Sequence, residues 1–369
     1  MGSKIEIMRS EKTIQEAVPI ILLIGTLLSS LVGADTAHAA VGVTFSIESV
    51  GDSVDQAPNL AEGGYAPAQS QPRFQAFTAG IDWTLDARTS LRFSGGRNEL
   101  NSLRDSFQIN QIALSAYRRI SPDLVPYSYG LHAALTFNYV DQLVKNSYTT
   151  YNGATLTSAS ISQPEDRTLS VGLSGSRLLS KGFTLAGRVN GGMISSDHES
   201  MQGVGKSQDD CSYSFTTDGT TGSLVQLEAC GPLVSYSQQF ANEDGVEDRL
   251  GFRSSQDVAH SARFMEIGGG LGWSHQSISI DIDYRLRQYY RDTIDDRISE
   301  NGDTPTTVSQ TARAALTYRL GRQWSLSLAS IYQTAPYLDE IPLLYTAFTS
   351  ERYTGGDALS FKLSASLWL

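Results

Sequence analysis

The sequence predicts an all-β chain in which about twelve antiparallel strands run up and down and close into a barrel. Three observations predict it. Apolar residues recur at every second position in twelve separate stretches. The connections between those stretches alternate strictly between long and short. No comparable helical periodicity interrupts them.

The first strand reads VGVTFSIES, with Val41, Val43, Phe45 and Ile47 on one side and Glu48 on the other. The second sets Phe77, Ala79, Ile81, Trp83 and Leu85 against Asp82. The third carries Leu91 and Phe93, with Arg92 opposed, and the fourth Ile112, Leu114 and Ala116. YSYGLHAALTFNY is the fifth, running Tyr127, Tyr129, Leu131, Ala133, Leu135, Phe137 and Tyr139 along one face with His132 on the other. Leu169, Val171 and Leu173 mark the sixth; Phe183, Leu185, Val189 and Met193 mark the seventh, with Arg188 opposed. The eighth alternates Met265, Ile267, Leu271 and Trp273 against Glu266. In the ninth, QSISIDIDYRLRQYY, Ile278, Ile280, Ile282, Tyr284 and Leu286 interleave with Asp281, Asp283, Arg285 and Arg287. The tenth sets Ala314, Leu316, Tyr318 and Leu320 against Arg313 and Arg319, and the eleventh begins Trp324, Leu326, Leu328. ALSFKLSASLWL closes the set with Leu359, Phe361, Leu363, Leu367 and Leu369, and Lys362 opposed.

Short connections fall near Asp86, Ser121, Leu179, Ser274 and Leu320; long polar ones span 51–72, 101–106, 141–165, 199–256, 294–307 and 337–357. Antiparallel neighbours then gather every tight turn at one end of the sheet and every long loop at the other. That asymmetry resembles Gram-negative outer-membrane β-barrels, which have short periplasmic turns and longer outside loops. The resemblance covers the chain from residue 40 onward and is architectural, with no motif of a particular family. It implies a transmembrane barrel in the outer membrane, in contact with lipid and lipopolysaccharide and inserted by the barrel assembly machinery. Such barrels commonly end in an aromatic residue; here Leu369 is last, and Trp368 is out of phase with Leu363 and Leu367.

In hydrocarbon every backbone N–H and C=O must be paired within the protein, which a sheet closed on itself achieves. One face of each strand then meets acyl chains and the other the interior. A soluble sandwich or sugar-binding barrel produces the same alternation with the faces exchanged. Strands near ten residues and the strict loop alternation favour the membrane reading. Trp83, Trp273, Trp324 and Trp368 all map to the short-turn end, as an aromatic girdle would, with Tyr139, Tyr289, Tyr290 and Tyr332 available for the opposite girdle.

Composition removes other classes. The formal charge is −11, with 28 Lys and Arg against 39 Asp and Glu, which argues against a nucleic-acid partner. The apolar run AVPIILLIGTLLSSLVGA (Ala17–Ala34) followed by Ala37-His38-Ala39 reads as a Sec-type signal peptide at 1–39, leaving residues 40–369 as the barrel. In an exported chain the only two cysteines, Cys211 and Cys230, are expected to form a disulfide within the long extracellular connection 199–256.

The expected lumen lining is Glu48, Asp82, Arg92, Arg188, Glu266, Asp281, Asp283, Arg285, Arg287, Arg313, Arg319 and Lys362. Eight strands make a filled barrel and sixteen an open one. Twelve lie between, and the leading expectation is a narrow, charge-lined channel for passive or facilitated diffusion of small charged solutes; the alternative is a closed barrel that presents its loops for adhesion, partner docking or envelope integrity. A rim enzyme of the lipase type would need a nucleophile–base pair. His260 beside Ser261, His132, His198 and His275 show no such arrangement, so no catalytic residue, metal or cofactor is expected.

Overall fold

The computed structural model describes residues 40–52, 73–101, 106–121, 127–145, 149–151, 154–180, 182–228, 230, 237–240, 244–300, 304–334 and 357–369. The expected signal peptide at 1–39 lies outside the described residues, as do most of the connections 51–72 and 337–357.

The chain runs β1 (Ala40–Asp52), β2 (Arg73–Thr84), β3 (Thr89–Asn101), β4 (Ser106–Arg119), β5 (Tyr127–Tyr139), β6 (Gln142–Lys145), β7 (Thr149–Tyr151), β8 (Ala154–Ser162), β9 (Glu165–Ser180) and β10 (Phe183–Asp197). It continues through β11 (Ser200–Lys206), β12 (Ser212–Thr217), β13 (Gly222–Gln226), β14 (Ser237–Phe240), helices α1 (Asp244–Leu250) and α2 (Ser254–Asp257), and β15 (His260–His275). Then follow β16 (Ile278–Tyr290), α3 (Asp292–Glu300), β17 (Val308–Leu320), β18 (Trp324–Thr334) and β19 (Asp357–Trp368).

Twelve of these strands close into one antiparallel barrel, ordered β1-β19-β18-β17-β16-β15-β10-β9-β5-β4-β3-β2. They match the twelve stretches of alternating sequence. β19 closes onto β1 with the register Glu48↔Lys362 and Ile47↔Leu363. Every barrel strand exposes at least one large apolar side chain on its outer face: Ile47, Trp83, Phe93, Leu114, Leu135, Val171, Val189, Ile267, Ile282, Leu316, Leu328 and Leu363. Cross-strand pairs such as Ile280↔Leu316 and Leu316↔Leu328 line these up into a continuous belt. An apolar patch that encircles a molecule is not stable in water and is matched by the acyl region of a bilayer. The soluble alternative, with the apolar face inside, is thereby set aside.

The short ends show why the chain reverses there. Asp86 Oδ1 accepts the backbone N–H of Arg88 at 2.6 Å and of Thr89 at 2.8 Å, which closes the β2–β3 turn. Those N–H bonds hold its carboxyl below the usual range. Gly182, between β9 and β10, has φ +86°, and a Cβ there would stand 2.4 Å from the Ser274 carbonyl oxygen. Only glycine meets both conditions.

The long connections are not plain loops. Those at 141–165 and 199–256 build a second sheet, ordered β14-β13-β12-β11-β8-β6, with β7 on the free side of β8. β8 leads directly into β9 and β11 follows directly from β10, so this cap continues the β9–β10 hairpin past the barrel rim. Its alternation was hidden by short strands and by a register shift between Val204 and Gly205. Across that shift Ala154 and Leu156 share a buried face with Ala159 and Ile161, which breaks the two-residue period. The helices also correct the expectation of no helical pattern. Val246 and Leu250, and Ile294 and Ile298, are four residues apart and fully or nearly fully buried.

Cys211 and Cys230 are disulfide-bonded, with Cα atoms 5.6 Å apart, across the foot of the β12–β13 hairpin. Closing a loop of 19 residues stabilises the cap by about 3 kcal/mol on the chain-entropy account. Cys211→Ser is therefore expected to speed proteolysis of the 199–256 region while the barrel stays folded, read by limited digestion on intact cells.

Candidate functional site

The barrel wall assigns each inward residue by register, and the charges pair across strands. Lys362 Nζ stands 3.4 Å from Glu48 Oε2, while Ser360 Oγ donates to Glu48 Oε1 at 2.6 Å. Arg92 and Asp82 are 3.8 Å apart, and Arg313 Nη1 donates to Asp283 Oδ2 at 3.2 Å. Asp281 and Arg319 lie nearest the short-turn end and are exposed.

Glu266 is the hub. It is 2 % exposed and faces three guanidinium groups. Arg287 Nε and Nη2 donate to Oε2 at 3.0 and 2.6 Å. Arg188 Nε is 3.3 Å from Oε1, Arg285 Nε is 3.9 Å from Oε2, and Asn190 Nδ2 donates to Oε1 at 2.8 Å. The pairing Glu266↔Arg287 on β15–β16 and Asn190↔Glu266 on β10–β15 sets this geometry directly. Arg287 also stacks over Phe264, 4.5 Å from the ring centroid. Sequence reasoning placed Glu266, Arg188, Arg285 and Arg287 inside but did not bring them to one carboxylate. It also missed Phe264, whose parity with Glu266 puts an aromatic ring inside.

From mid-height to the long-loop end the lumen is packed. Each of the twelve barrel strands contributes an inward residue that is buried: Ser46, Ala76, Asn98, Ile109, Asn138, Asp166, Ile194, Phe264, Tyr289, Ser309, Gln333 and Ala358. Asn138 Nδ2 donates to Asp166 Oδ1 at 2.9 Å within this ring. Ile109, Ile194, Phe264 and Tyr289 belong to the same apolar cluster as Leu156, Ile161, Phe215 and Leu224 of the cap sheet and Val246, Leu250, Ile294 and Ile298 of the helices. Barrel mouth and cap thus share one core. Toward the short turns the lumen opens into a cavity of about 300 Å³, bordered by Tyr117, Ser174, Ser176, Arg188, Gly268 and Asp283.

Above the core, a buried polar clasp joins the helices. Arg297 Nε and Nη2 donate to Asp257 Oδ1 and Oδ2 at 3.0 and 3.2 Å, and Nη2 donates to the Gly251 carbonyl at 2.9 Å. The Arg253 N–H donates to Asp257 Oδ2 at 2.6 Å. Burial pushes the Asp257 carboxyl above its ordinary 3.8, against the pull of Arg297. With the folded value above the unfolded one, the folded cap holds more protons in that window. Its stability then falls as pH rises from about 4 through the raised value. Protease resistance of the cap is expected to decline over that range, and Asp257→Asn is expected to flatten the decline.

Trp83, Trp273 and Trp324 share the outward phase of Ile81, Leu271 and Leu326 at the short-turn end. Trp368 does not join them. It pairs with Gly42, and a Cβ at Gly42 would stand 2.9 Å from its ring. Gly42 is in phase with the inward Thr44 and Ser46, so Trp368 lies on the inner face and the expected girdle is corrected to three tryptophans. Tyr289 is likewise removed from the opposite girdle, because it is 1 % exposed and points inward, whereas Tyr139, Tyr290 and Tyr332 are exposed. His260, at the outer end of β15, is buried, with Nδ1 3.3 Å from the Val258 carbonyl oxygen, and Ser261 faces the opposite side of the strand.

No protein-family model matches the chain, and no curated protein does. Among solved structures it is similar to the translocator domain of the autotransporter NalP from Neisseria meningitidis, at 11 % identity over 96 % of each chain with a TM-score of 0.44. It is also similar to the β-domain of the Bordetella autotransporter BrkA, at 9 % identity over 90 % of this chain and 99 % of that one, with a TM-score of 0.43. The NanC porin gives 7 % identity over 89 % and 98 %, with a TM-score of 0.37. Likenesses this loose carry no argument about what the chain does. Closure, the apolar belt and the segregation of short and long connections carry the architecture: this is a closed twelve-stranded antiparallel barrel of the Gram-negative outer-membrane type.

Proposed function

We propose that the protein is an outer-membrane barrel closed at rest in its outer half, whose role is to present the folded cap to the outside for adhesion or partner docking. The ring of buried inward residues, one from each of the twelve strands, carries this reading. A water-filled passage needs a continuous polar lumen. Here Phe264, Tyr289, Ile109 and Ile194 fill the lumen and merge with the cap core. The disulfide and the Asp257–Arg297 clasp make the cap a rigid surface, suited to recognition without large ordering costs.

A channel for small charged solutes is the second reading, favoured by the polar cavity on the short-turn side. It requires the cap to lift off the ring. Single-channel recording in planar bilayers separates the two. The closed barrel is expected to be silent across the voltage range, and large stable openings of the unmodified protein would overturn it in favour of the channel.

A further inference from the structure

We infer that the outer surface of the barrel over β9, β10, β15 and β16 holds a binding site for one molecule of a phosphorylated, acylated sugar lipid, the lipid A part of lipopolysaccharide. An acyl chain lies in an apolar recess at Gly191, and a phosphate is held by Arg263. The site faces the membrane, so it does not depend on whether the barrel conducts.

The recess comes from one missing side chain. Gly191 is in the outward phase of Val189 and Met193 on β10, and its cross-strand partners are Val171 on β9 and Met265 on β15. Leu169, Val171, Met193 and Met265 are each more than half exposed and surround the bare backbone. They border a recess of about 590 Å³, within the size range of ligand pockets. The wall itself does not require glycine here. A Cβ at Gly191 would meet only the Phe264 carbonyl oxygen, at 3.9 Å, an ordinary contact. Its neighbour Gly192 differs, because it faces inward and a Cβ there would stand 2.2 Å from the Phe264 ring. An acyl chain seated at Gly191 buries more apolar area than one lying on the belt beside it.

Arg263 supplies the polar end. It is exposed, lies in the outward phase two residues from Met265, and pairs across the sheet with Met193 and Tyr290. Its guanidinium has no hydrogen-bond or ion-pair partner among the described residues. Trp273, in the short-turn girdle, lies ten residues further along β15. At about 3.3 Å per residue and a strand tilt of about 40°, that is a height of about 25 Å, the height of the apolar band of such barrels. Arg263 thus stands where acyl chains end and phosphate begins. A guanidinium offers phosphate a two-point contact, and the exposed Tyr290 hydroxyl beside it is a further donor.

The next outward row pairs Ser195 with Ser261, both exposed, which suit sugar hydroxyls. The outward acids of these four strands, Glu165 and Asp197, pair with each other one row higher again. Glu165 is in an ion pair with Arg167, and Asp197 accepts the His198 N–H. A phosphate at the edge of the belt therefore meets the arginine before it meets an acid. Recess, arginine and hydroxyls follow the order of acyl chain, phosphate and sugar, whereas phosphatidylglycerol has no sugar to place on the serines. In barrels of this type the longer loops face outside, so this end meets the leaflet that holds lipopolysaccharide.

The test is native mass spectrometry of the purified protein, refolded into detergent micelles free of bacterial lipid. It is titrated with lipid A, with lipid A stripped of its phosphates, and with phosphatidylglycerol. Lipid A is expected to form a single saturable adduct. The other two probes are each expected to bind at least tenfold more weakly. Arg263→Gln should weaken lipid A about tenfold or more, the loss expected for one charged hydrogen-bonded contact, and should leave the dephosphorylated probe unchanged. Gly191→Leu fills the recess without altering charge and should weaken lipid A at least tenfold. Both variants should keep the heat-modifiable mobility of a folded barrel, which separates loss of the site from loss of fold. The proposal is overturned if the unmodified protein takes up no lipid A, or takes up many copies with no saturable first adduct. It is also overturned if either other probe binds as tightly, or if folded Arg263→Gln binds lipid A as the unmodified protein does.

Discussion

Glu266→Gln is expected to be among the most damaging single substitutions in the lumen, lowering the stability of the barrel by about 3–5 kcal/mol, the cost of removing one partner from a buried charge cluster. The substitution changes one oxygen to an amide and leaves the volume intact. It removes the carboxylate that Arg188, Arg285 and Arg287 share. The three guanidiniums then repel one another in a packed interior. Arg287 is the closest of the three, so the double variant Glu266→Gln/Arg287→Gln should recover part of the loss, and a double-mutant cycle would give the coupling. Urea unfolding in lipid vesicles measures both. A Glu266→Gln midpoint equal to that of the unmodified protein would mean the cluster is a solvated set of charges.

The second large effect lies one residue away from a harmless position. Leu173 and Ser174 are neighbours near the middle of β9, and they face opposite sides of the wall. Leu173 is 54 % exposed in the apolar belt. Leu173→Arg turns a charge toward the bilayer midplane and is expected to cost about 2–4 kcal/mol. Ser174→Arg places the same charge in the open half of the lumen, where water and Asp283 can meet it, and should cost far less. The difference between adjacent positions, read as unfolding midpoints in the same vesicles, is larger than helix or strand propensity can produce.

The barrel was legible in the sequence because its strands obey one constraint along their whole length. Lipid on one side and a polar interior on the other force a period of two, as in Ile278 to Arg287, and a one-residue slip would turn every charge into the bilayer. The cap obeys no such uniform constraint. Its strands are three to nine residues long, and a bulge at Val204 and Gly205 shifts the phase of β8 against β11. The sequence at 199–256 therefore reads as a loop, although its buried apolar residues belong to the core shared with the barrel mouth. Helical spacing was present at Ile294 and Ile298 but spans little more than one turn. Parity assigns the charges to one face of each strand and says nothing of who meets whom. The convergence on Glu266 needs β10, β15 and β16 to be neighbours, and β10 and β15 are separated in sequence by β11–β14, α1 and α2. Trp368 shows the limit of composition arguments. Its position at the short-turn end suits a girdle, yet its phase puts it across Gly42 on the inner face.

The most direct test is a nitroxide scan along β16 in lipid vesicles, with cysteine placed in turn at residues 279 to 284 in a background lacking Cys211 and Cys230. Labels at Ile280, Ile282 and Tyr284 should collide with oxygen dissolved in the acyl region and be shielded from a water-soluble nickel complex, while those at Ser279, Asp281 and Asp283 should show the reverse. Labels at Ile280 and Ile282 shielded from lipid, with Asp281 and Asp283 outermost, would contradict a barrel that is oily outside and wet within.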